Sequence, residues 1–99
     1  MEKKQLGKIR SISIGYGGYQ DAMFGVSFEL GGEGWSTCDF WGGWTEENQA
    51  NDMGLAFIRL AKLMSSVRIS SVSKLTGLPV EIVFENGIQK SWRLLTEVL

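Results

Sequence analysis

The stretch FGVSFELGGEGWSTCDFW, residues 24–41, decides the fold class because it predicts two strands joined by a tight connection. Apolar residues occupy every second position from Phe24 to Leu30, which is the period of a half-buried strand. Gly31–Gly34 is a short connection, and Trp35–Trp41 is rich in residue types that favour strands. Because parallel strands need a long crossover, we expect these two strands to be antiparallel neighbours.

A further strand precedes this stretch and one long helix follows it. Ile12, Ile14 and Tyr16 alternate with Ser and Gly residues, which predicts a strand that ends in a glycine-rich turn. The helix is predicted over Thr45–Val67, with Thr45 as its N-cap and Glu46 and Glu47 in its first turn. Its apolar stripe is expected to consist of Met53, Phe57, Leu60, Met64 and Val67.

The last third of the chain predicts a second, short helix and a hairpin. The short helix ends near Leu75, because Gly77 suits a helix C-terminus and Pro79 prevents continuation. Residues 80–84 form a strand, and Asn86-Gly87 marks the hairpin turn. We expect a three-residue loop over residues 85–87, because it would pair Phe84 with Ile88, Ile82 with Lys90 and Val80 with Trp92, and so keep most apolar side chains on one face.

These elements have the order β-β-β-α-α-β-β. That order predicts an α+β fold, in which an antiparallel sheet of about five strands carries one long helix packed on one face. The chain of 99 residues has the length of one domain, and we expect residues 1–99 to form it.

The residue types available for catalysis are few. The chain contains no histidine, which removes the commonest general base and zinc ligand, and it has a single cysteine, Cys38. Asp21, Glu29, Glu33 and Asp39 could converge as acids or cation ligands, but they lack the spacing of a calcium loop. We therefore predict no enzymatic activity, no catalytic residue, no metal and no cofactor.

Charge is distributed unevenly along the chain. Residues 11–58 contain seven acidic residues and no Lys or Arg, whereas Lys3, Lys4, Lys8 and Arg10 lie before them. A stacking platform for nucleic acid is normally coupled to cations that neutralise phosphate, so direct nucleic-acid binding is disfavoured. A protein with a basic surface is the better electrostatic match.

Aromatic residues and glycines are concentrated in the same half of the chain. Exposed aromatics among glycines can form a binding surface, because bare backbone lets a partner approach closely. The alternative is that these rings cap the core beneath the helix. The candidate binding residues are Tyr16, Tyr19, Asp21, Trp35, Asp39, Trp41 and Trp44.

Four fragments of the chain together suggest a family. Residues 15–23 (GYGGYQDAM), 31–42 (with GGEGW and DFWG), 75–81 (LTGLPVE) and 94–99 (LLTEVL) resemble a family of short uncharacterised proteins encoded by tailed bacteriophages and prophages. The resemblance implies a phage accessory protein made in the host bacterial cytoplasm, and it assigns a role to no residue.

Three hypotheses for function follow. The first is a non-enzymatic protein that binds a host or phage protein through an acidic, Gly/aromatic surface, for example as an inhibitor of a defence system. The second is a binder of a small ligand or nucleotide signal, and the third is a minor virion or assembly protein. None of them requires a membrane, and each is compatible with a homo-oligomer.

Overall fold

Five strands and one long helix make up the chain in a computed structural model, which describes residues 1–18, 20, 22–44 and 50–98. The strands are β1 (Glu2–Gly17), β2 (Met23–Gly32), β3 (Trp35–Trp44), β4 (Pro79–Glu85) and β5 (Ile88–Leu94), and the helix is α1 (Ala50–Ser66). All strand pairs are antiparallel, in the order β3-β2-β1-β4-β5. The predicted α+β class and five-stranded antiparallel sheet are confirmed.

The second predicted helix has a different form. Residues Val72–Leu75 make a 3₁₀ turn, and another such turn covers Thr96–Val98. Ser71 precedes the first of these turns but its side chain makes no capping hydrogen bond. The turn is held instead by its contact with the sheet, because the backbone amide of Gly77 donates to the carbonyl of Ile9 over 2.7 Å.

The first strand is the centre of the sheet and is much longer than its apolar alternation predicts. Its first half, from Glu2 to Lys8, pairs with β4, and its second half, from Lys8 to Gly17, pairs with β2. The polar residues at the N-terminus show no alternation of apolar and polar side chains. This half of β1 is therefore a strand because its backbone pairs with that of β4. A bulge between Ile9 and Ser11 bends the strand where it changes partners.

The sheet is so strongly curled that its two edge strands face each other. Thr37 on β3 donates a hydrogen bond of 2.7 Å to the side-chain oxygen of Gln89 on β5. In a flat sheet these edges would be about 19 Å apart, given four steps of roughly 4.8 Å each. The strands therefore form a partly open five-stranded barrel, an architecture that also includes the OB-fold.

A row of glycines permits this curl. Gly15, Gly25 and Gly42 stand opposite one another on β1, β2 and β3. A Cβ atom on Gly25 would overlap the carbonyl oxygen of Trp41, and one on Gly42 would overlap the carbonyl oxygen of Phe24. At Gly25 and Gly42 the backbones of β2 and β3 approach too closely for any side chain, as at a tight bend of a barrel, whereas a Cβ on Gly15 would meet open space. This row accounts for part of the excess of glycine in the first half of the chain.

The core lies inside the curled sheet and is closed by α1, which packs against β3 and β2. The sheet contributes the fully buried residues Ile9, Val26, Phe28, Leu30, Val80 and Ile82. From α1, Ala56 and Leu60 are buried, whereas Phe57 is 38% exposed. The helical spacing predicts Phe57 in the core, but Ala56 and Leu60 are the residues of α1 that enter it, and Phe57 lies about 100° around the helix from Ala56. The predicted start of the helix, with Thr45, Glu46 and Glu47, lies outside the described residues.

The predicted three-residue hairpin loop is wrong. Glu85 pairs with Ile88, so the loop consists of Asn86 and Gly87, both with positive φ. This is the geometry of a type I′ turn, which matches the twist of the strands. A bulge next to Phe84 inserts Lys90 and restores the apolar register, so that Ile82 faces Trp92. The apolar pattern predicts the longer loop only for a ladder without a bulge.

No helix among the described residues is long and apolar enough to cross a membrane.

The glycine row predicts that Gly25→Ala lowers the free energy of unfolding by roughly 1–3 kcal/mol, because the new methyl group would force β2 and β3 apart. Gly54→Ala is the matched control: it lies on the exposed side of α1 with open space around it, and it should raise stability by about 1 kcal/mol. Urea denaturation measures both. Equal stability of Gly25→Ala and the wild type would show that β2 and β3 can separate without cost.

Candidate functional site

The structure separates the candidate residues into surface and interior positions. Tyr16 is 66% exposed, whereas Trp35 and Trp44 are half-buried. Asp39 is half-buried and Trp41 lies in the core with 7% exposure. Tyr19 and Asp21 lie outside the described residues.

Asp39 connects the two edges of the barrel. One oxygen, Oδ2, accepts hydrogen bonds from the indole nitrogens of Trp41, at 3.0 Å, and Trp92, at 2.7 Å. The other oxygen, Oδ1, accepts the backbone amide of Phe40 at 2.9 Å. The carboxylate of Asp39 thus accepts three hydrogen bonds, which hold it in place as a structural link between β3 and β5.

The tryptophans around Asp39 form a closely packed aromatic cluster. The rings of Trp41 and Trp92 are stacked, with centroids 5.7 Å apart and planes inclined by 14°. Phe28 lies 4.5 Å from Trp41 and 5.1 Å from Trp92. Sequence reasoning had not connected Trp92 with Asp39, and no spacing signal could have done so, because 53 residues separate them.

Trp35 closes the barrel at its other end. Its ring meets that of Phe84 on β4 edge-on, at a centroid distance of 6.2 Å. A Cβ on Gly32 would collide with the same indole, so the ring lies against bare backbone. Trp35, Asp39 and Trp41 therefore fit the alternative in which the aromatics complete the core.

The outer face of β1, β2 and β3 carries a shallow cleft of about 530 Å³. In OB-type barrels the face of strands 2 and 3 is the usual ligand surface. Here the lining includes Ser13, Ser27, Glu29, Cys38 and Phe40, and the Phe40 ring lies over Gly17 and Gly42. No Lys or Arg lines this cleft among the described residues, so its chemistry does not suit phosphate.

Cations do reach the acidic half of the chain in three dimensions. Arg10 on β1 lies 3.7 Å from Glu29 and donates a hydrogen bond of 2.8 Å to the carbonyl of Gly32. Arg59 on α1 lies over the ring of Trp41, 4.0 Å from its centroid. Residues 11–58 therefore do not make a cation-free surface, although their sequence contains no Lys or Arg.

Exposed apolar side chains mark a different surface, on the inner side of β1. Ile14 and Tyr16 point to the same face as Val26 and Phe24, with which they pair, yet Ile14 is 48% exposed. Tyr16 contacts only the edge of Phe24, at a centroid distance of 5.3 Å, among the ring pairs of the described residues.

The helix carries a further exposed apolar side chain. Arg59 lies on the flank of α1 that faces β3, and Phe57, about 200° away around the helix and 38% exposed, lies on the opposite flank. We call Ile14, Tyr16 and Phe57 the β1–α1 patch. The sequence pattern selects only Tyr16 from this patch, because Ile14 and Phe57 lie at the strand and helix spacings that are typical of core residues.

Comparison of the chain with protein families, with curated proteins and with solved structures found no match. The geometry of the described residues is therefore the basis for any assignment.

The role of Asp39 predicts that Asp39→Asn destabilises the fold by about 1–3 kcal/mol. An amide in this position has one oxygen and one NH₂ group, so in either orientation a donor would face Phe40 or the two indoles. Urea denaturation gives the loss, and Glu33→Gln, an exposed acid on a turn, should stay within about 0.5 kcal/mol of the wild type.

A double-mutant cycle isolates the link between the barrel edges. Trp92→Phe keeps an aromatic ring and removes the donor, and Asp39→Ala removes the acceptor, so these two substitutions should show a coupling energy of about 0.5–3 kcal/mol. Additive effects of the two substitutions would mean that this hydrogen bond does not connect β3 to β5.

Proposed function

We propose that this chain is a non-enzymatic binding protein that engages a host or phage protein through the β1–α1 patch. The observation that carries the proposal is the exposure of Ile14 and Tyr16 on the face that elsewhere forms the core. Contiguous apolar surface on a small protein is typical of a protein–protein contact, and tyrosine is enriched in such contacts.

The chemistry of the described residues supports binding over catalysis. The chain has no histidine, and the carboxylate of Asp39 is already used by three donors. No group of three or more acidic or cysteine side chains assembles within the described ranges. The remaining surfaces are better suited to contact with a partner than to general-base catalysis.

The proposed partner has a basic surface. Glu33 and Asp52 are exposed and have no ion-pair partner within the part of the chain that the structure describes. In the sequence, Asp21 follows the strand that carries Tyr16, and Glu46 and Glu47 follow β3. Glu33 lies in the turn between β2 and β3, at the end of the sheet away from Tyr16, and Asp52 lies on the flank of α1 beside Trp41. These acids therefore do not surround the patch, and they favour a basic partner through the charge of the molecule as a whole.

The resemblance to phage and prophage proteins supplies the proposed setting. A phage accessory protein acts in the cytoplasm of its bacterial host, where a host nucleic-acid enzyme presents a basic surface. Inhibition of such an enzyme, for example one that belongs to a defence system, is the specific form of the proposal.

The test is capture of a partner from host lysate with the wild-type chain and with two single variants. Tyr16→Ser and Ile88→Ser each remove one exposed apolar side chain, but Ile88 lies beside the hairpin turn, away from the patch. We expect Tyr16→Ser to lose the partner and Ile88→Ser to retain it. Capture should also weaken as salt rises, because charge steers the contact.

Two results would overturn the proposal. Equal capture by the wild type and Tyr16→Ser, with both variants shown to be folded by thermal unfolding, would exclude the patch. Light scattering that shows a dimer for the wild type and a monomer for Tyr16→Ser would assign the patch to a second copy of the chain.

A further inference from the structure

A second concave surface lies on the opposite flank of α1, between the helix and β5. It is a cleft of about 310 Å³, and its lining includes Trp41, Arg59, Lys62, Ser66, Trp92 and Arg93. Its lining contains none of the residues of the β1–α1 patch, so this cleft is independent of the surface in the proposed function. The cleft combines cations with aromatic rings, which the outer face of the sheet does not.

Arg59 is oriented without a carboxylate. Its guanidinium carbon lies 4.0 Å from the centroid of the Trp41 ring, and no acid forms an ion pair with it among the described residues. One face of the guanidinium is thus held by the indole, while its donors and its other face remain available. A stacked guanidinium can both hold a planar ring and donate to an anion.

Lys62 adds a second charge on the same flank. It follows Arg59 by three residues, so the two side chains are neighbours on the helix surface. Lys62 also has no ion-pair partner within the described ranges. Two such cations beside each other would attract an anionic group of a ligand.

Arg93 on the facing strand is committed elsewhere. Its guanidinium lies 3.1 Å from Glu97 and 3.3 Å from Glu81, and the hydrogen bond from Arg93 lowers the pKa of Glu97. Because both acids pair with it, Arg93 adds no unpaired positive charge to the cleft. The net positive charge lies on the helix side, with Arg59 and Lys62.

We propose that this cleft binds a small molecule in which a planar aromatic ring is joined to a phosphate group, as in a nucleoside monophosphate. The ring stacks on the free face of Arg59 or on the half-buried Trp92, and the phosphate lies between Arg59 and Lys62. A volume of about 310 Å³ is at the lower end for small-molecule sites, which favours a mononucleotide over a larger ligand.

The test follows the indole N–H resonances of the folded protein by NMR, after each is assigned with a single Trp→Phe variant. Adenosine monophosphate at millimolar concentration should shift the resonances of Trp41 and Trp92 and leave that of Trp35 in place. Inorganic phosphate and adenosine, which carry one half of the ligand each, should bind at least about tenfold more weakly.

Substitutions of the two cations test where the phosphate of the ligand binds. Lys62→Gln should weaken binding of adenosine monophosphate about tenfold or more, whereas Lys74→Gln, an exposed cation outside the cleft, should leave it unchanged. Arg59→Gln should weaken it further, and Lys62→Gln keeps the test valid if loss of the Arg59 stack affects folding.

Four outcomes would overturn the proposal. The first is that adenosine monophosphate shifts neither the Trp41 nor the Trp92 resonance, and the second is that phosphate alone or adenosine alone binds with the same affinity as adenosine monophosphate. The third is that Lys62→Gln binds adenosine monophosphate as tightly as the wild type does. The fourth is that a single-stranded oligonucleotide shifts the same resonances at far lower concentration. The last outcome would assign the cleft to a nucleic-acid strand.

Discussion

The carboxylate of Asp39 is the group on which the closure of the barrel depends. It accepts the indole N–H groups of Trp41 and Trp92 from the two edges of the sheet, and it does so beside the core. A half-buried carboxylate is costly unless its oxygens are satisfied, and here three donors satisfy them. The same bonds hold both indoles in orientation, so the stacked rings can fill the space that α1 covers.

Closure is possible only because the backbone can bend. Gly25 and Gly42 let β2 and β3 approach without side chains between them, and a bulge turns β1 from one partner to the other. A second bulge, at Lys90, brings Trp92 to the inner face. Glycines and bulges thus carry Asp39 and Trp92 to within hydrogen-bond distance, and the fold and the aromatic cluster depend on each other.

The helix divides the surface beside the core into two regions with different chemistry. In the β1–α1 patch apolar side chains remain exposed, with Tyr16 the most exposed of them. On the flank toward β5, Arg59 and Lys62 lie beside tryptophan rings. The first region suits a protein surface and the second suits a small anion, because apolar area and focused charge select different partners.

The sequence by itself determined the class of fold. Alternation in β2 and the short connection to β3 predict antiparallel strands, and the spacing in α1 predicts a helix, because both signals are local. Local signals could not show that β1 extends back to Glu2, that Lys90 forms a bulge, or that Phe57 is left exposed, since each depends on a distant partner. The tertiary structure alone decided that Asp39 joins the two edges of the barrel and that the Trp41 ring packs into the core with 7% exposure. It also placed Arg10 and Arg59 beside residues of a segment that itself contains no Lys or Arg. Charges counted along the chain do not show this, because a surface combines residues from several strands and the helix.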